Sequence, residues 1–564
     1  GSQVYIGWRM FGTDPADTGF NVYRNGTKIN GSTPITGSTN YLDTGGSSSS
    51  TYRVAAVING VEQELSSPAS AWSYYKDGYG GETGYHDIPV QQIPGDTNWE
   101  YHPNDASVGD LDGDGEYEIV VKRIPPSAGA GLYPYVEAYE MDGTLLWRIN
   151  LGPNITDWVE LNPIVYDFDS DGFAEVALKT SELTTFGDDV QIGDTDGDGT
   201  TDYSSSAVWN GSLYMTEGPE FLSIIDGQTG AELARTDYID RDPISQWGTP
   251  GMSLSQYAHR SYKFHMTPAY IDGQRPSLVI CRGIYHRIKM EAWDWRDGQL
   301  TQRWAFDTIN WPGYDGQGNH NFTVGDVDSD GRDEIVYGSM CVDDNGNGLY
   351  TTELGHGDAI HMSDMDPDRP GLEVVAVHES GDNGTTLRDA GTGEIIWQKT
   401  AAGDTGRGCA AHIDSRYPGY QMWSVASGGT YNATDQSLIS SNIPNPGNFL
   451  IWWDGDLQRE ILDDVSTHNN PYINKWGGDG SYRLLSLYNA PTAYSTSSNN
   501  WTKGTPCLSG DILGDWREEC IYRSSDNTKL RIFTTAHQTS YRFYTLMHDP
   551  QYRLAIAWQV CGYN

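Results

Sequence analysis

The stretch GDLDGDGEYEIV, Gly109 to Val120, places an acid at every second position, then a glycine, then a hydrophobic run. With Asp110 as position 1, Asp112 is 3, Asp114 is 5, Gly115 is 6 and Glu118 is 9. An EF-hand needs a bidentate Glu at position 12 between two helices. Position 12 here is Val121, inside a strand pattern, so this is a compact acidic loop feeding a β-strand. Clustered carboxylates repel one another unless a cation sits among them. Hard oxygen donors in this number select Ca²⁺ over softer metals, and the glycine lets the chain turn back on the ion.

The register recurs at Asp167, Asp169, Asp171 and Glu175, at Asp194, Asp196, Asp198 and Asp202, and at Asp326, Asp328, Asp330 and Glu334. Glu116 is a further candidate donor in the first loop. A looser copy holds Asp364, Asp366, Asp368 and Glu373; others begin at His412 and Gly510, the last with Leu513 at position 3. A solvated acidic turn explains one such loop, but not four in one register. These loops are expected to hold structural Ca²⁺ at strand-joining turns.

A second theme alternates with the first. It is a hairpin ending in an aromatic or aliphatic residue: MDGTLLWRI from Met141, IDGQTGAELA from Ile225, WRDGQLTQRW from Trp295, DAGTGEIIWQ from Asp389 and WDGDLQREIL from Trp453. One copy of each theme supplies four strands, the content of a β-propeller blade. Residues 85–564, at roughly 50–60 per blade, predict eight blades, or seven. Residues 181–220 and 470–505 read as insertions. Residues 1–84 read as a separate module. Alternating strands with Trp8, Tyr23, Tyr41 and Tyr52 at core positions resemble a fibronectin type III-like β-sandwich. The predicted fold is therefore all-β: a calcium-stabilised propeller preceded by a small sandwich.

The chain has 564 residues and a net charge of −42. Nucleic-acid binding needs a basic surface and is excluded on that ground. No apolar run reaches the ~18 residues of a membrane helix. Gly1-Ser2 run straight into strand-like sequence, so any export signal is expected to be already removed. The six cysteines lie far apart without a CxxC, which argues against a zinc cluster and leaves disulfides unassigned.

Five longer stretches carry a family likeness: NDASVGDLDGDGEYEIV from Asn104, RPSLVICRGIY from Arg275, GNHNFTVGDVDSDGRDEIVYGSM from Gly318, GLYTTELGHGDAIHMSDMDPDRPGLEV from Gly348 and TPCLSGDILGDWREE from Thr505. Together they resemble the rhamnogalacturonan lyases of polysaccharide lyase family 11. The resemblance implies an eight-bladed propeller, structural calcium, secretion and an acidic plant cell-wall polysaccharide as substrate. It also implies cleavage of rhamnogalacturonan I by β-elimination. A base removes the C5 proton of galacturonate, the bond at O4 breaks, and a C4–C5 double bond forms. A cation on the neighbouring carboxylate stabilises the developing charge, and Ca²⁺ or an Arg serves. The base is a Lys or Tyr whose pKa must be lowered.

Residue by residue, Asn500, Thr502 and Lys503 match the family's active-site Asn-x-Thr-Lys, and Tyr563 its active-site tyrosine. Lys503 is expected as base and Tyr563 as proton donor, although the roles can be exchanged. Asn104 matches a position near the substrate. His320 and His356, with Asn321 and Asp358, lie in quoted motifs, and Arg282, Arg407 and Arg260 are candidates for uronate carboxylates. The plain alternatives are a surface lysine, structural histidines and arginines that bridge the core.

Two positions depart from the family pattern. Arg123, Ile124 and Pro125 stand where Trp-Asp-Pro is implied, and Trp501 stands for a glycine, both in the expected cleft. The chain also ends at Asn564, short of the implied closing strand, which is then expected to be missing or supplied from elsewhere. A lyase on another rhamnose–uronate polymer such as ulvan, and a non-catalytic calcium-braced carbohydrate-binding propeller, are the competing readings. No membrane partner is expected, and the chain is expected to be monomeric.

Overall fold

The computed structural model describes residues 3–559 except 128–130, 157–160, 205–206, 210–211, 445–446, 465–469, 489–494 and 500–502. The chain is nearly all β. From residue 102 on, seven four-stranded antiparallel sheets follow one another, and a six-stranded sheet comes eighth. The first runs in the order His102–Gly109, Glu118–Ile124, Tyr135–Tyr139 and Leu145–Asn150. The others begin at Ile164, Phe264, Thr323, Ile360, Gly408 and Phe449; in the eighth, Thr496–Ser497 and Leu508–Gly510 both pair with Glu519–Ser524, and Leu508–Gly510 is counted as its first strand.

Burial explains the sequence pattern across a sheet. Second strands such as EIVVKRI, EVALKTS and SLVICR are buried at every residue. In the first of them Val120 packs into one core cluster and Ile119 and Val121 into another, so both faces are covered, and Lys122, Arg123, Lys179 and Arg282 are buried with the apolar residues. The fourth strand ELARTD of the second sheet alternates half-buried and exposed, as an edge facing water on one side should. First strands adjoin one another between the first and second, second and third, fourth and fifth, fifth and sixth, and eighth and first sheets.

Two α-helices interrupt this pattern among the described residues. In α1 (Leu254–Tyr262) Ser253 and Gln256 form a reciprocal capping box. In α2 (Pro550–Ala557) Asp549 caps and Pro550 opens the helix. Helix α2 packs on the first strands of the first four sheets and the eighth. Tyr552 Oη donates to Glu518 Oε1 at 2.6 Å and accepts from Asp511 N at 2.8 Å. Arg553 donates to Tyr166 Oη and Tyr270 Oη, both at 3.0 Å.

The eighth sheet also takes strands from near the start of the chain. Glu82–Pro89 pairs with Lys529–Thr535 in the eighth sheet, and Ser73–Lys76 pairs with Glu82–Pro89. The expected 84/85 boundary therefore falls inside a strand. The N-terminal module holds a five-stranded and a two-stranded sheet around Ile6, Trp8, Met10, Phe20, Val22 and Tyr52. Tyr23 is not a core aromatic: its hydroxyl reaches out to Glu62. Tyr41 packs only at the core's margin.

Two loop assignments are corrected. WDGDLQREIL is not a hairpin of the second theme but joins the first and second strands of the seventh sheet, Phe449–Ile451 and Glu460–Asp463. The loop at Asp194 joins no first and second strand; it lies in the insertion between Glu175–Ser181 and Glu220–Ile225 of the second sheet. Cys281, Cys341, Cys409, Cys507 and Cys520 are free and buried; Cys561 lies outside the described residues.

Candidate functional site

The acidic loops share one geometry. In the first, second and fourth sheets the position-9 acid accepts the N–H of position 2: Glu118 from Leu111, Glu175 from Phe168 and Glu334 from Val327. The same bond closes the fifth, seventh and eighth loops through Glu373, Glu460 and Glu519, and the sixth through Gln421. Position 1 accepts from the position-6 glycine: Asp110 from Gly115, Asp167 from Gly172 and Asp326 from Gly331. Those glycines have φ of 90°, 95° and 91°, a conformation that strains other residues.

Asp110, Asp112 and Glu118 each bring an oxygen within 4.8 Å of the others, as do Asp167, Asp169 and Glu175, and Asp326, Asp328 and Glu334. Burial, then the neighbouring carboxylates, pushes Glu118 up to about 7 and Glu175 and Glu334 up to about 8. Asp169 Oδ1 and Glu334 Oε1 are buried without a hydrogen-bond partner. Such groups suit a divalent cation, whose charge would hold them ionised. Asp114, Asp171, Asp198 and Asp330 at position 5 accept the N–H two residues on. Glu116 sits on the exposed turn and supplies the N–H to Asp114.

In the insertion, Asp194 and Asp196 converge with Glu182, which the loop register did not reveal. Asp202, expected at position 9, instead accepts from Ser204 N and Oγ. In the fifth loop Asp364 is exposed, Asp366 accepts from Asp368 N, and Arg369 lies 3.8 Å from Glu373.

The opposite ends of the first strands carry a different group. Residues just before a first strand share a side with residues just after a second strand, because the strands are antiparallel. His320, His356, Asp358, Asp404, Arg407 and Lys503 belong to the former; Tyr285, Glu379 and Asp463 to the latter. Lys503 is buried, and burial lowers its pKa to about 8. Asp358, Asp463 and Asp404 work against that shift, and Arg407 adds to it. Asp463 Oδ1 accepts the Gly504 N–H at 2.9 Å, and Tyr522 Oη donates to Gly504 O at 2.7 Å, so the backbone beside Lys503 is held from two sides.

His320, His356 and Asp358 each offer a ligand atom within 4.8 Å of the others. His356 Nδ1 contacts Gly318 O at 2.8 Å, which orients the ring. Its Nε2 is buried without a hydrogen-bond partner and lies 3.2 Å from Glu379 Oε2. Burial, then the nearby cationic groups, holds His320 well below its ordinary pKa, so it is neutral and able to ligate. Tyr285 Oη lies 3.2 Å from His320 Nε2, and its ring meets His356 at 4.7 Å and the Arg260 guanidinium at 5.7 Å.

Other expected residues lie elsewhere. Arg282 is fully buried and spends its donors on Ile239 O, Ser261 O and Glu220, so it bridges the core instead of meeting substrate. Arg123 is likewise buried against Glu137 at 2.7 Å, so this departure sits within a sheet and not in a cleft. Asn104 is buried in the first strand of the first sheet, with Nδ2 3.5 Å from Asn499 O, which places it beside the Lys503 loop. Asn500, Trp501, Thr502 and Tyr563 lie outside the described residues. Sequence reasoning missed Asp404, Asp463 and Glu379, which lie in none of the quoted motifs, and Tyr285, the last residue of RPSLVICRGIY.

Comparisons with known proteins identify the family. Residues 85–564 match the model for the C-terminal domain of rhamnogalacturonan lyase family 11, and residues 1–72 that for the β-sheet domain of rhamnogalacturonan I lyases. Rhamnogalacturonan endolyase YesW of Bacillus subtilis is 44% identical over 100% of this chain and 87% of its own length. Rhamnogalacturonan exolyase YesX of the same organism is also 44% identical, over 100% of this chain and 91% of its own. The crystal structure of YesW superimposes with a TM-score of 0.88 over 99% of this chain and 92% of that one. The chain is thus a polysaccharide lyase. It belongs to rhamnogalacturonan lyase family 11.

Proposed function

We propose that this chain cleaves rhamnogalacturonan I at the bond from rhamnose to O4 of galacturonate, by calcium-dependent β-elimination. The observation that carries this is the meeting of a buried, pKa-lowered Lys503 with the His320–His356–Asp358 group. The Lys503 amine, neutral in part near pH 8, takes the C5 proton. The C5–H electrons form the C4–C5 double bond, the C4–O4 bond breaks, and Tyr563 returns a proton to the leaving oxygen. Arg407 and Arg260 orient the uronate carboxylate. Asp463 keeps the Lys503 loop in place. His320, His356, Asp358 and Glu379 would hold a Ca²⁺ that supplies positive charge to that carboxylate.

In this reading the eight sheets are the blades of one ring. Adjoining first strands line the axis, α2 fills the end beside the acidic loops, and the Lys503 group faces the polymer at the other. Further Ca²⁺ ions in the acidic loops brace the turns. The substrate is a plant-wall polymer, so the enzyme would act outside the cell, as one chain.

The test is incubation with rhamnogalacturonan I and calcium, read by ultraviolet absorbance of the unsaturated product. No rise would sink the reading, and a rise on ulvan alone would transfer it to that polymer.

A further inference from the structure

The seventh acidic loop differs from its siblings. Glu460 closes on the Trp453 N–H at 2.8 Å, so Glu460 is position 9, Asp454 position 3 and Asp456 position 5, with Trp452 replacing the acid at position 1. These carboxylates already hold a cation. Lys475 Nζ bonds Asp454 Oδ2, Asp456 Oδ2 at 2.6 Å and Glu460 Oε1 at 3.0 Å.

Strand register explains why this loop alone has a lysine there. Lys475 lies in the third strand, one residue beyond the Ile461/Asn474 pair, directly across from Glu460. The same cross-strand position beside Glu118 is Glu140, one beyond the Ile119/Tyr139 pair. Beside Glu175 it is Asp226, and beside Glu334 it is Asp343. Those three loops thus face a fourth carboxylate across the ladder. An added cation relieves that repulsion without a proton being taken up. In the seventh loop one change of sign puts an ammonium among the oxygens instead.

We propose that Lys475 is the resident cation of the seventh loop, and that the sign of this cross-strand residue decides whether an acidic loop takes a metal. An acid there leaves a calcium loop; a lysine makes the turn independent of calcium. A half-buried ammonium and a divalent ion are interchangeable here because both neutralise the same oxygens. The ammonium stays attached to the chain, so chelation does not remove it.

This inference rests on the calcium reading of the other loops. The experiment is a count of tightly bound calcium per chain by elemental analysis after gel filtration. Asp456→Asn, on a half-buried turn, should leave the wild-type count unchanged, because no metal sits there; a count lower by one overturns the proposal. Lys475→Asp should raise the count by one, and Asp343→Lys should lower it by one. A Lys475→Asp protein that melts cooperatively with an unchanged count also overturns it; one that melts cooperatively only when calcium is present supports it. A wild-type count of zero overturns the calcium reading itself, which a non-zero count unmoved by Lys475→Asp would not.

Discussion

Asp463 Oδ1 accepts the backbone N–H of Gly504 at 2.9 Å, tying the end of a strand in the seventh sheet to the residue after Lys503. The two are 41 residues apart in sequence. The same carboxylate raises the pKa of Lys503, against the burial that lowers it. One residue thus both positions Lys503 and tunes it. Asp463→Asn keeps an oxygen for Gly504 but removes the charge. Lys503 should then lose its proton more easily, and the rising limb of the kcat/KM–pH profile should move to lower pH. A limb that stays put would mean that this charge does not reach Lys503.

Lys503→Met should lower kcat by at least about 10²–10⁴-fold, the range of general-base contributions. In the wild type, activity should climb as pH rises through about 8, where Lys503 becomes neutral. The sign for stability follows from the lowered pKa. The unfolded chain binds the Lys503 proton more tightly, so the buried lysine costs stability below pH 8, and that cost is relieved as pH rises. Lys503→Met at neutral pH should therefore melt no lower than wild type. A large drop in Tm would mark Lys503 as structural.

His356→Leu should raise the calcium concentration needed for activity. Its Nε2 faces Asp358 and Glu379 at 3.6 and 3.2 Å, and leucine offers no ligand atom in its place. An unchanged calcium dependence would remove His356 from the ligand set.

Arg260 lies 5.7 Å from the Tyr285 ring, and among the described residues it forms no ion pair with a carboxylate. That leaves the guanidinium donors not spent on Gln256 O for a uronate. Arg260→Gln should raise KM about tenfold, matching the loss of one charge-assisted hydrogen bond of about 1.5 kcal/mol or more, with a smaller effect on kcat. Equal KM values for variant and wild type would assign Arg260 to packing alone.

Chelation should lower Tm, because each bound ion stabilises the folded chain by about 2.7 kcal/mol at a hundredfold excess over Kd. Asp328→Asn should weaken the fourth loop and reduce that chelator-sensitive part of Tm. Scanning calorimetry with and without chelator measures both; identical curves would refute bound structural ions.

Much of this architecture was legible in the sequence because it depends on local periodicity. The acidic register from Asp110 to Glu118 announces a turn into a strand, and the turn closes as that spacing requires. Where two residues must meet across the ladder or between sheets, the sequence was silent. WDGDLQREIL looked like a hairpin because Trp452 stands at position 1 and its cation, Lys475, is supplied 15 residues after Glu460. Glu182 stood outside the motif of Asp194 and Asp196. Arg282 looked available for a substrate until Glu220 was found beside it.

By itself, then, the sequence determined the repeat, the acidic turns and the family motif ending in Lys503, all set by spacing along one strand or loop. Only the tertiary structure decided which charges meet. It joined Glu82–Pro89 to the last sheet, gathered His320, His356 and Asp358 beside Lys503, and buried Arg123 and Arg282 away from them. The reason is that electrostatic partners act through space, at a few ångströms, across any number of intervening residues.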